Sequence, residues 1–245
     1  MIASIILFLF SLSNGLTIRR QTTDASKLLV GIGDSWTSGD GGGSVGANGR
    51  SPNAYPLVAA KILNWEGKNL ARGGSKINDI AAQLKTFSTL PFPPTHIVVG
   101  TGGNDLGVAE ALIQVTLLNN LAAVSSKLIT IKPRLVSVYK DIQKYVPTAK
   151  VYAVPYPNFV GNSNKLPNES KCRLMMELLT TTIKEAAAEA NIGYIDVSGA
   201  FKGHEMYSEE PFIWGLFDKS AAHPNQKGYT KMGEIVAAHL QAESN

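Results

Sequence analysis

A serine with the setting of a nucleophile stands near the N-terminal end of the chain. Ser35 closes the tripeptide Gly33-Asp-Ser35, which follows the short apolar run Lys27–Ile32 and precedes a glycine-rich stretch. A buried strand that ends abruptly presents the next side chains at the carboxyl edge of a sheet, where open α/β sheets bind ligands. The hydroxyl of Ser35 is therefore a candidate nucleophile. Glycine, aspartate and serine are also common turn residues, so a simple turn is the alternative interpretation.

Three more segments place polar side chains next to glycine or proline, far apart in the sequence. They are Asn69-Leu-Ala-Arg-Gly-Gly74, Gly102-Gly-Asn-Asp105 and His223-Pro-Asn-Gln-Lys-Gly-Tyr229. Each of them follows a predicted strand or begins a predicted helix. Because the carboxyl ends of parallel strands meet at one edge of a sheet, all three segments can reach Ser35. Taken singly, each also has an ordinary explanation as a turn, a cap or a helix entry.

The elements that must position these segments alternate between strand and helix. Apolar, β-prone runs predict strands, and amphipathic runs between them predict helices, the last of which has Asn225 as its N-cap. Such alternation forms a mostly parallel sheet with helices on both faces. The fold class is therefore α/β, a three-layer α/β/α sandwich. Its expected strands are Leu28–Ile32, Lys68–Ala71, His96–Thr101, Lys150–Val154 and Ile192–Val197.

The N-terminal residues have the composition of a secretory signal. The apolar run Ile2–Phe10 is followed by the small residues Ser13-Asn-Gly15, and it is too short to span a bilayer comfortably. We expect a signal peptide at residues 1–15, an N-terminal segment at 16–26 and a single domain at 27–245, in a secreted protein. A signal anchor or a buried strand is the alternative interpretation of the apolar run.

Composition limits the kinds of partner that this chain can have. Hydrophobic residues make up 44% of it and charged residues 17%, and the formal net charge of +4 is not gathered into a basic stripe. Nucleic-acid binding is therefore not expected. The chain has no H-E-x-x-H motif and one cysteine, Cys172, so we expect neither a metal site nor a cofactor. Cys172 begins an amphipathic helix and is expected to be buried and inert; pairing with another chain is the alternative.

One glycosylation sequon accompanies the predicted signal peptide. Asn168-Glu-Ser170 lies in a polar loop before a helix, where oligosaccharyltransferase can reach it in a secreted protein. Such tripeptides are common by chance, so the sequon gives weak support to secretion.

The four polar segments, in this order and spacing, resemble the sequence blocks of the SGNH (GDSL-type) hydrolase family. The blocks are Gly-Asp-Ser, then N-x-x-x-x-G, then Gly-Gly-Asn-Asp, then H-P-N-x-x-G-Y, and they extend from Gly33 to Tyr229. Each block alone is weak evidence, but four in order are specific. The resemblance implies a flavodoxin-like sheet and hydrolysis of carboxylic esters.

The resemblance also implies a role for particular residues. Ser35 would be the nucleophile and His223 the general base that takes its proton and returns it to the leaving group. The backbone N–H groups of Ser35 and Gly74, with the side-chain amide of Asn104, would form the oxyanion hole. Asparagine suits this position because it is a neutral donor.

The sequence departs from the family at the residue that orients the histidine. The family usually has aspartate three residues before the histidine, and here that position is Ser220. The chain resembles a branch of secreted bacterial lipases that use a main-chain carbonyl instead, although Asn48 and Tyr207 replace two of that branch's cysteines. We therefore predict a Ser35–His223 dyad oriented by the backbone near Ser220 to Ala222, with Asp218 as the second candidate.

The resulting hypothesis is a secreted lipase or esterase, expected to be monomeric and not inserted in a membrane, that cleaves esters through an acyl-enzyme. The alternatives are a carbohydrate acetylesterase and a non-catalytic lipid- or glycan-binding protein on the same fold. The aromatic residues Trp36, Phe212 and Trp214 are candidates for an apolar substrate wall. Packing of the apolar run 211–217 onto the core is the alternative for the last two.

Overall fold

The computed structural model describes residues 24–46 and 48–243. The predicted signal peptide, residues 1–15, lies outside the described residues, as does most of the predicted segment 16–26. The first strand begins at Asp24, so the sheet starts inside that segment. None of the helices in the described part of the chain is long and apolar enough to cross a membrane.

A five-stranded sheet forms the centre of the molecule, and every pairing within it is parallel. The order is β2-β1-β3-β4-β5, which is that of flavodoxin-like folds and confirms the predicted fold class. The chain leaves β1 for β2 on one side and then crosses to β3 on the other, so a crevice opens beyond the carboxyl ends of β1 and β3. The strands are β1 Asp24–Gly33, β2 Trp65–Asn69, β3 His96–Gly100, β4 Lys150–Ala153 and β5 Gly193–Tyr194.

Helices cover both faces of this sheet. Helix α2 packs against β1 and β2 and also on α8, while α6 packs on α7, and both α6 and α7 contact β4. The helices are α1 Ser35–Ser38, α2 Tyr55–Leu63, α3 Ile80–Lys85, α4 Gly103–Leu106, α5 Val108–Leu118, α6 Ala122–Tyr145, α7 Glu169–Glu189 and α8 Gln226–Ala242. Short 3-10 turns lie at Ile77–Asp79, Thr86–Thr89 and Ser198–Phe201.

The core lies between the sheet and these helices, and local sequence patterns place most of its residues. All five residues of β3 are buried, as expected for a central parallel strand. Asn225 caps α8 by accepting a hydrogen bond from the N–H of Gly228. Cys172 is wholly buried on α7, and burial raises the pKa of its thiol to about 11. Both features agree with the sequence analysis.

Candidate active site

The turn between β1 and α1 holds Ser35 at the carboxyl edge of the sheet. Gly33 ends β1 at φ +138°, and a Cβ on it would lie 2.0 Å from the carbonyl oxygen of Gly100, so this close approach requires glycine. The side-chain amide of Gln83, on α3, binds both the N–H and the carbonyl of Gly33 at 2.8 Å. Asp34 then caps α1 by accepting from the N–H of Trp36. The nucleophile candidate is thus held by a rigid turn.

The imidazole of His223 lies against the hydroxyl of Ser35. The distance between His223 Nε2 and Ser35 Oγ is 2.8 Å, and Nδ1 lies 2.8 Å from the carbonyl oxygen of Ala221. Since a carbonyl only accepts hydrogen bonds, Nδ1 must carry the proton of the neutral ring. Nε2 is then the acceptor for the hydroxyl proton, which is the arrangement that a general base needs.

The two other candidates for orienting His223 have different partners. The carboxylate of Asp218 accepts from the N–H of Gly215 at 2.7 Å, so it closes its own turn and does not reach the imidazole. The carbonyl of Ser220 accepts from the backbone N–H of His223, not from the ring. The orienting carbonyl belongs to Ala221, which lies within the predicted backbone stretch.

Asn104 and Gly74 lie beside Ser35 on the wall of one cavity. The side chain of Asn104 donates to the carbonyl of Ser75 at 2.9 Å, which fixes the amide and leaves its second hydrogen free. Gly74 has φ +76° and open space around its Cα, so a ligand can approach the backbone there. The structure therefore brings all the predicted oxyanion-hole residues to the same place.

Asp105, the residue after Asn104, fixes the loop that carries Gly74. Asp105 accepts from the N–H of Ile77 at 2.8 Å and from Arg134 at 2.6 Å. Its carboxylate is almost wholly buried, so the ion pair with Arg134 compensates a desolvated charge. Asn104 and Asp105 thus hold the loop before α3 at two points, which sets the distance between the two parts of the candidate oxyanion hole.

A buried carboxyl next to the nucleophile has an unusual protonation equilibrium. Burial raises the pKa of Asp34 to about 7, although hydrogen bonds from the hydroxyl of Tyr156 and the N–H of Trp36 oppose the rise. The hydroxyl oxygen of Tyr156 in turn accepts from the N–H of Gly103 at 3.0 Å. This chain links the Ser35 turn to the segment of Asn104. Sequence patterns contain no signal for it, because the partner tyrosine is 122 residues away.

The cavity that contains Ser35 and His223 has a volume of about 1080 Å³ and mostly apolar walls. Trp36 lines it as predicted, packing edge-on against Tyr156 with ring centroids 5.6 Å apart. Further wall residues come from α5, from α7 and the loop before it, and from the loop before His223. They include Leu112, Ile113, Leu117, Leu166, Met176 and Phe217. The sequence of α5 indicates its place in this wall. Its apolar residues cover more of the helix surface than the single stripe of a helix that buries one side against the core.

Two of the three predicted wall residues do not line this cavity. Phe212 stacks on His204, with ring centroids 3.9 Å apart, and meets Phe201 edge-on. Trp214 is 40% exposed and donates from Nε1 to the carbonyl of Gly41 at 2.9 Å. Both rings therefore contact residues of other loops instead of the cavity. Leu216 and Phe217, from the same apolar run, reach the cavity instead.

The sequon residue Asn168 is exposed at the start of α7. Its side-chain nitrogen donates to the carbonyl of Thr116 on α5 at 2.9 Å. An amide nitrogen that carries a glycan keeps one hydrogen, so this hydrogen bond and glycosylation are compatible. In the described part of the chain, no three His, Cys, Asp or Glu side chains are grouped as a metal site requires.

Fold and site together define a class: an enzyme with an open parallel sheet whose carboxyl edge brings a serine and a histidine into contact. Residues 32–231, most of the chain, match the GDSL-like Lipase/Acylhydrolase family. The chain belongs to this family and is a carboxylic ester hydrolase, as the sequence blocks implied.

Relatives and solved structures agree with this assignment. The chain is 28% identical over 233 residues to a lipase from Streptomyces rimosus, covering 87% of this chain and 85% of the relative. It is similar in fold to phospholipase A1 from Streptomyces albidoflavus NA297, with 24% identity, a TM-score of 0.71 and coverage of 87% and 98% of the two chains. The extracellular lipase from Streptomyces rimosus has 24% identity, a TM-score of 0.72 and coverage of 87% and 99%.

Proposed function

We propose that the protein is a secreted lipase or esterase that works through an acyl-enzyme on Ser35, with His223 as general base. The observation that carries this proposal is the pair of 2.8 Å contacts at the two nitrogens of His223, one to Ser35 and one to the carbonyl of Ala221. One contact prepares the serine and the other fixes the tautomer that can accept its proton.

The chemistry follows from this geometry. Ser35 Oγ attacks the ester carbonyl as its proton moves to Nε2 of His223, and the carbonyl oxygen becomes an oxyanion. The backbone N–H groups of Ser35 and Gly74 and the side-chain amide of Asn104 donate to that oxyanion. When the tetrahedral intermediate collapses, the C–O bond to the alcohol breaks and the imidazolium returns the proton to the alcohol. Water, deprotonated by His223, then attacks the acyl-enzyme; the bond to Ser35 Oγ breaks, the imidazolium returns the proton to Ser35, and the acid is released.

The cavity walls favour an acyl ester of a lipid over the acetylated glycan of the alternative hypothesis. A deacetylase needs a small acyl site beside a polar cleft, whereas this cavity holds about 1080 Å³ and is lined by Leu112, Ile113 and Met176. One relative is named a lipase and one similar structure a phospholipase A1, and both names denote enzymes that act on acyl esters of lipids. The intact Ser35–His223 contact supports an enzyme over a non-catalytic binding protein.

Secretion is part of the proposal. The apolar run at the N-terminus, the exposed sequon at Asn168 and the extracellular origin of the Streptomyces rimosus lipase support it. We propose a monomer that carries a glycan at Asn168. Expression in a secreting eukaryotic host, followed by N-terminal sequencing and treatment with an endoglycosidase, tests the cleavage site and the glycan together.

The first experiment labels the purified protein with a fluorophosphonate, which reacts with activated serines. We expect one adduct, mapped by peptide mass spectrometry to Ser35, absent in Ser35→Ala and much slower to form in His223→Ala. Ser44, in the exposed glycine-rich loop, is the matched control, since Ser44→Ala must leave labelling unchanged. No adduct near neutral pH would mean that His223 does not activate Ser35, and the binding-protein alternative would replace this proposal.

A further inference from the structure

Large apolar side chains are exposed at the cavity opening and directly beside it in the chain. On α5, Ile113, Leu117 and Leu118 are 57%, 69% and 65% exposed, and Phe217, on the loop before His223, is 96% exposed. Single exposed apolar residues are normal on a protein surface, but a cluster at one place indicates an interaction site. We refer to these four side chains as the apolar rim.

The apolar rim is continuous with the substrate site. Ile113, Leu117 and Phe217 face solvent and at the same time line the cavity that contains Ser35 and His223. Leu118 follows directly at the end of α5. Anything that covers the rim therefore also covers the entrance of the cavity. An occupant that remains there during turnover must itself supply the ester.

Charges around the cavity favour a negatively charged occupant. Three lysines that line it, Lys76, Lys127 and Lys165, are exposed. Of the carboxylates that line the cavity in the described part of the chain, Asp34 and Asp105 are buried and Glu110 is exposed. The exposed lysines therefore outnumber the exposed carboxylate.

We infer that the apolar rim docks the protein on a lipid surface that carries anionic head groups, with the rim side chains inserted among the acyl chains. This inference rests on the proposed function, because the lipid surface is the source of the ester that enters the cavity. A second copy of the chain on the rim would close the entrance to Ser35, whereas a lipid surface delivers acyl chains into it. Interfacial binding of this kind gains from both apolar insertion and basic side chains.

The test measures binding separately from catalysis. Ser35→Ala protein is sedimented with vesicles of phosphatidylcholine alone and of phosphatidylcholine mixed with phosphatidylglycerol. We expect binding to both and tighter binding to the mixed vesicles. Leu118→Ser and Phe217→Ser, added to Ser35→Ala, should each lower the partition coefficient about three- to tenfold, since each removes a large inserted side chain.

Ile62 provides the matched control for the rim. It is a large apolar residue, 51% exposed, on α2, a helix that packs with α8 rather than with α5. Ile62→Ser should leave the partition coefficient unchanged. A rim variant that binds as tightly as Ser35→Ala, or an equal loss from Ile62→Ser, would overturn the inference. Equal binding to the two kinds of vesicle would overturn its charge component.

A second readout separates this inference from the proposed function. Wild-type protein is assayed on a water-soluble short-chain ester below its solubility limit. If it cleaves that ester while Ser35→Ala protein binds neither kind of vesicle, the docking inference is wrong and the proposed function stands. If the protein binds vesicles but cleaves no ester, the proposed function is wrong and binding of the rim to lipid stands. Dimerisation of the free protein that Leu118→Ser abolishes would assign the rim to a second copy and also overturn the inference.

Discussion

The hydrogen bond between Nδ1 of His223 and the carbonyl of Ala221 occupies the place that a carboxylate has in a catalytic triad. A neutral carbonyl fixes the tautomer of the ring as well as a carboxylate does. It stabilises the imidazolium less, because it carries a partial rather than a full negative charge. The proposed reaction therefore depends mostly on the position of His223 and on the oxyanion hole.

Asp218→Asn tests whether a carboxylate contributes after all. Its oxygen accepts from the N–H of Gly215, and an asparagine oxygen can do the same, so we expect kcat to change by less than about threefold. His223→Ala, measured in the same ester assay, should lose activity by orders of magnitude. A similar loss in Asp218→Asn would contradict the dyad.

Asn104→Ala tests the side-chain donor of the candidate oxyanion hole. We expect kcat to fall on the order of 100-fold or more with little change in KM, because the donor acts on charge that develops only in the transition state. Asn78, which is exposed and accepts from Arg134, provides the control, and Asn78→Ala should retain its kcat. Because Asn104 also binds the carbonyl of Ser75, the Tm of both variants is measured. An unchanged kcat in Asn104→Ala would exclude it from the oxyanion hole.

Asp34 makes the stability of the fold depend on pH. Burial raises its pKa from 3.8 to about 7, so the unfolded chain loses this proton at lower pH than the folded protein does. The contribution of Asp34 to the free energy of unfolding therefore falls as pH rises through this interval. Relative to wild type, Asp34→Asn should gain on the order of 2 kcal/mol between about pH 5 and pH 8.

Urea unfolding at several pH values measures this difference. Asp141→Asn is the control, since Asp141 is exposed on α6. Parallel pH curves for wild type and Asp34→Asn would show that Asp34 does not titrate in this interval.

At the scale of elements, one carboxylate organises the loop between β4 and α7 that forms part of the cavity wall. Glu169, at the start of α7, accepts from the hydroxyl of Ser163 at 2.6 Å and from the N–H groups of Asn164, Lys165 and Leu166 at 3.0–3.2 Å. Burial raises the pKa of Glu169, but these hydrogen bonds outweigh it and hold the pKa below its ordinary value. The loop is thus fixed by a charged acceptor.

Glu169→Gln should make that loop more mobile without changing the contacts of Ser35 and His223. It replaces one acceptor oxygen with an NH₂ group that faces N–H donors, so Leu166 is no longer held against the cavity. We expect KM for a long-chain ester to rise about fivefold, while kcat on a short soluble ester stays within about twofold. Glu185→Gln, on the exposed surface of the same helix, should change neither. Equal changes with both esters would mean that Glu169 supports the fold generally.

At the scale of the whole molecule, the fold is stable without a disulfide bridge inside the chain. Cys172 is the one cysteine in the sequence, and its side chain is wholly buried. Burial raises its pKa to about 11, which lowers its thiolate fraction at neutral pH. A reducing agent should therefore leave Tm unchanged, and a thiol reagent should modify Cys172 quickly only after denaturation. Rapid modification of the native protein, or a covalent dimer, would contradict this prediction.

The sequence by itself determines most of the architecture, because the patterns involved are local. The apolar, β-prone runs indicate the region of each of the five strands, although β2 occupies Trp65–Asn69 instead of Lys68–Ala71 and β5 is shorter than its pattern. Asn225 is identifiable as a cap from its own neighbourhood. The order of the four blocks also indicates the family and the residues that meet at the sheet edge. These inferences hold because strand and helix periodicity and turn chemistry depend on residues close in the chain.

Only the tertiary structure decides how the loops face the cavity. Trp214 turns away because its nitrogen finds the carbonyl of Gly41, 173 residues away, while Phe217 of the same apolar run faces solvent and the cavity. The choice of Ala221 over Ser220 as the orienting carbonyl is likewise a matter of where the loop before α8 settles. An apolar residue is equally suited to a core, a cavity wall or an exposed rim, so contacts between distant segments determine which it becomes.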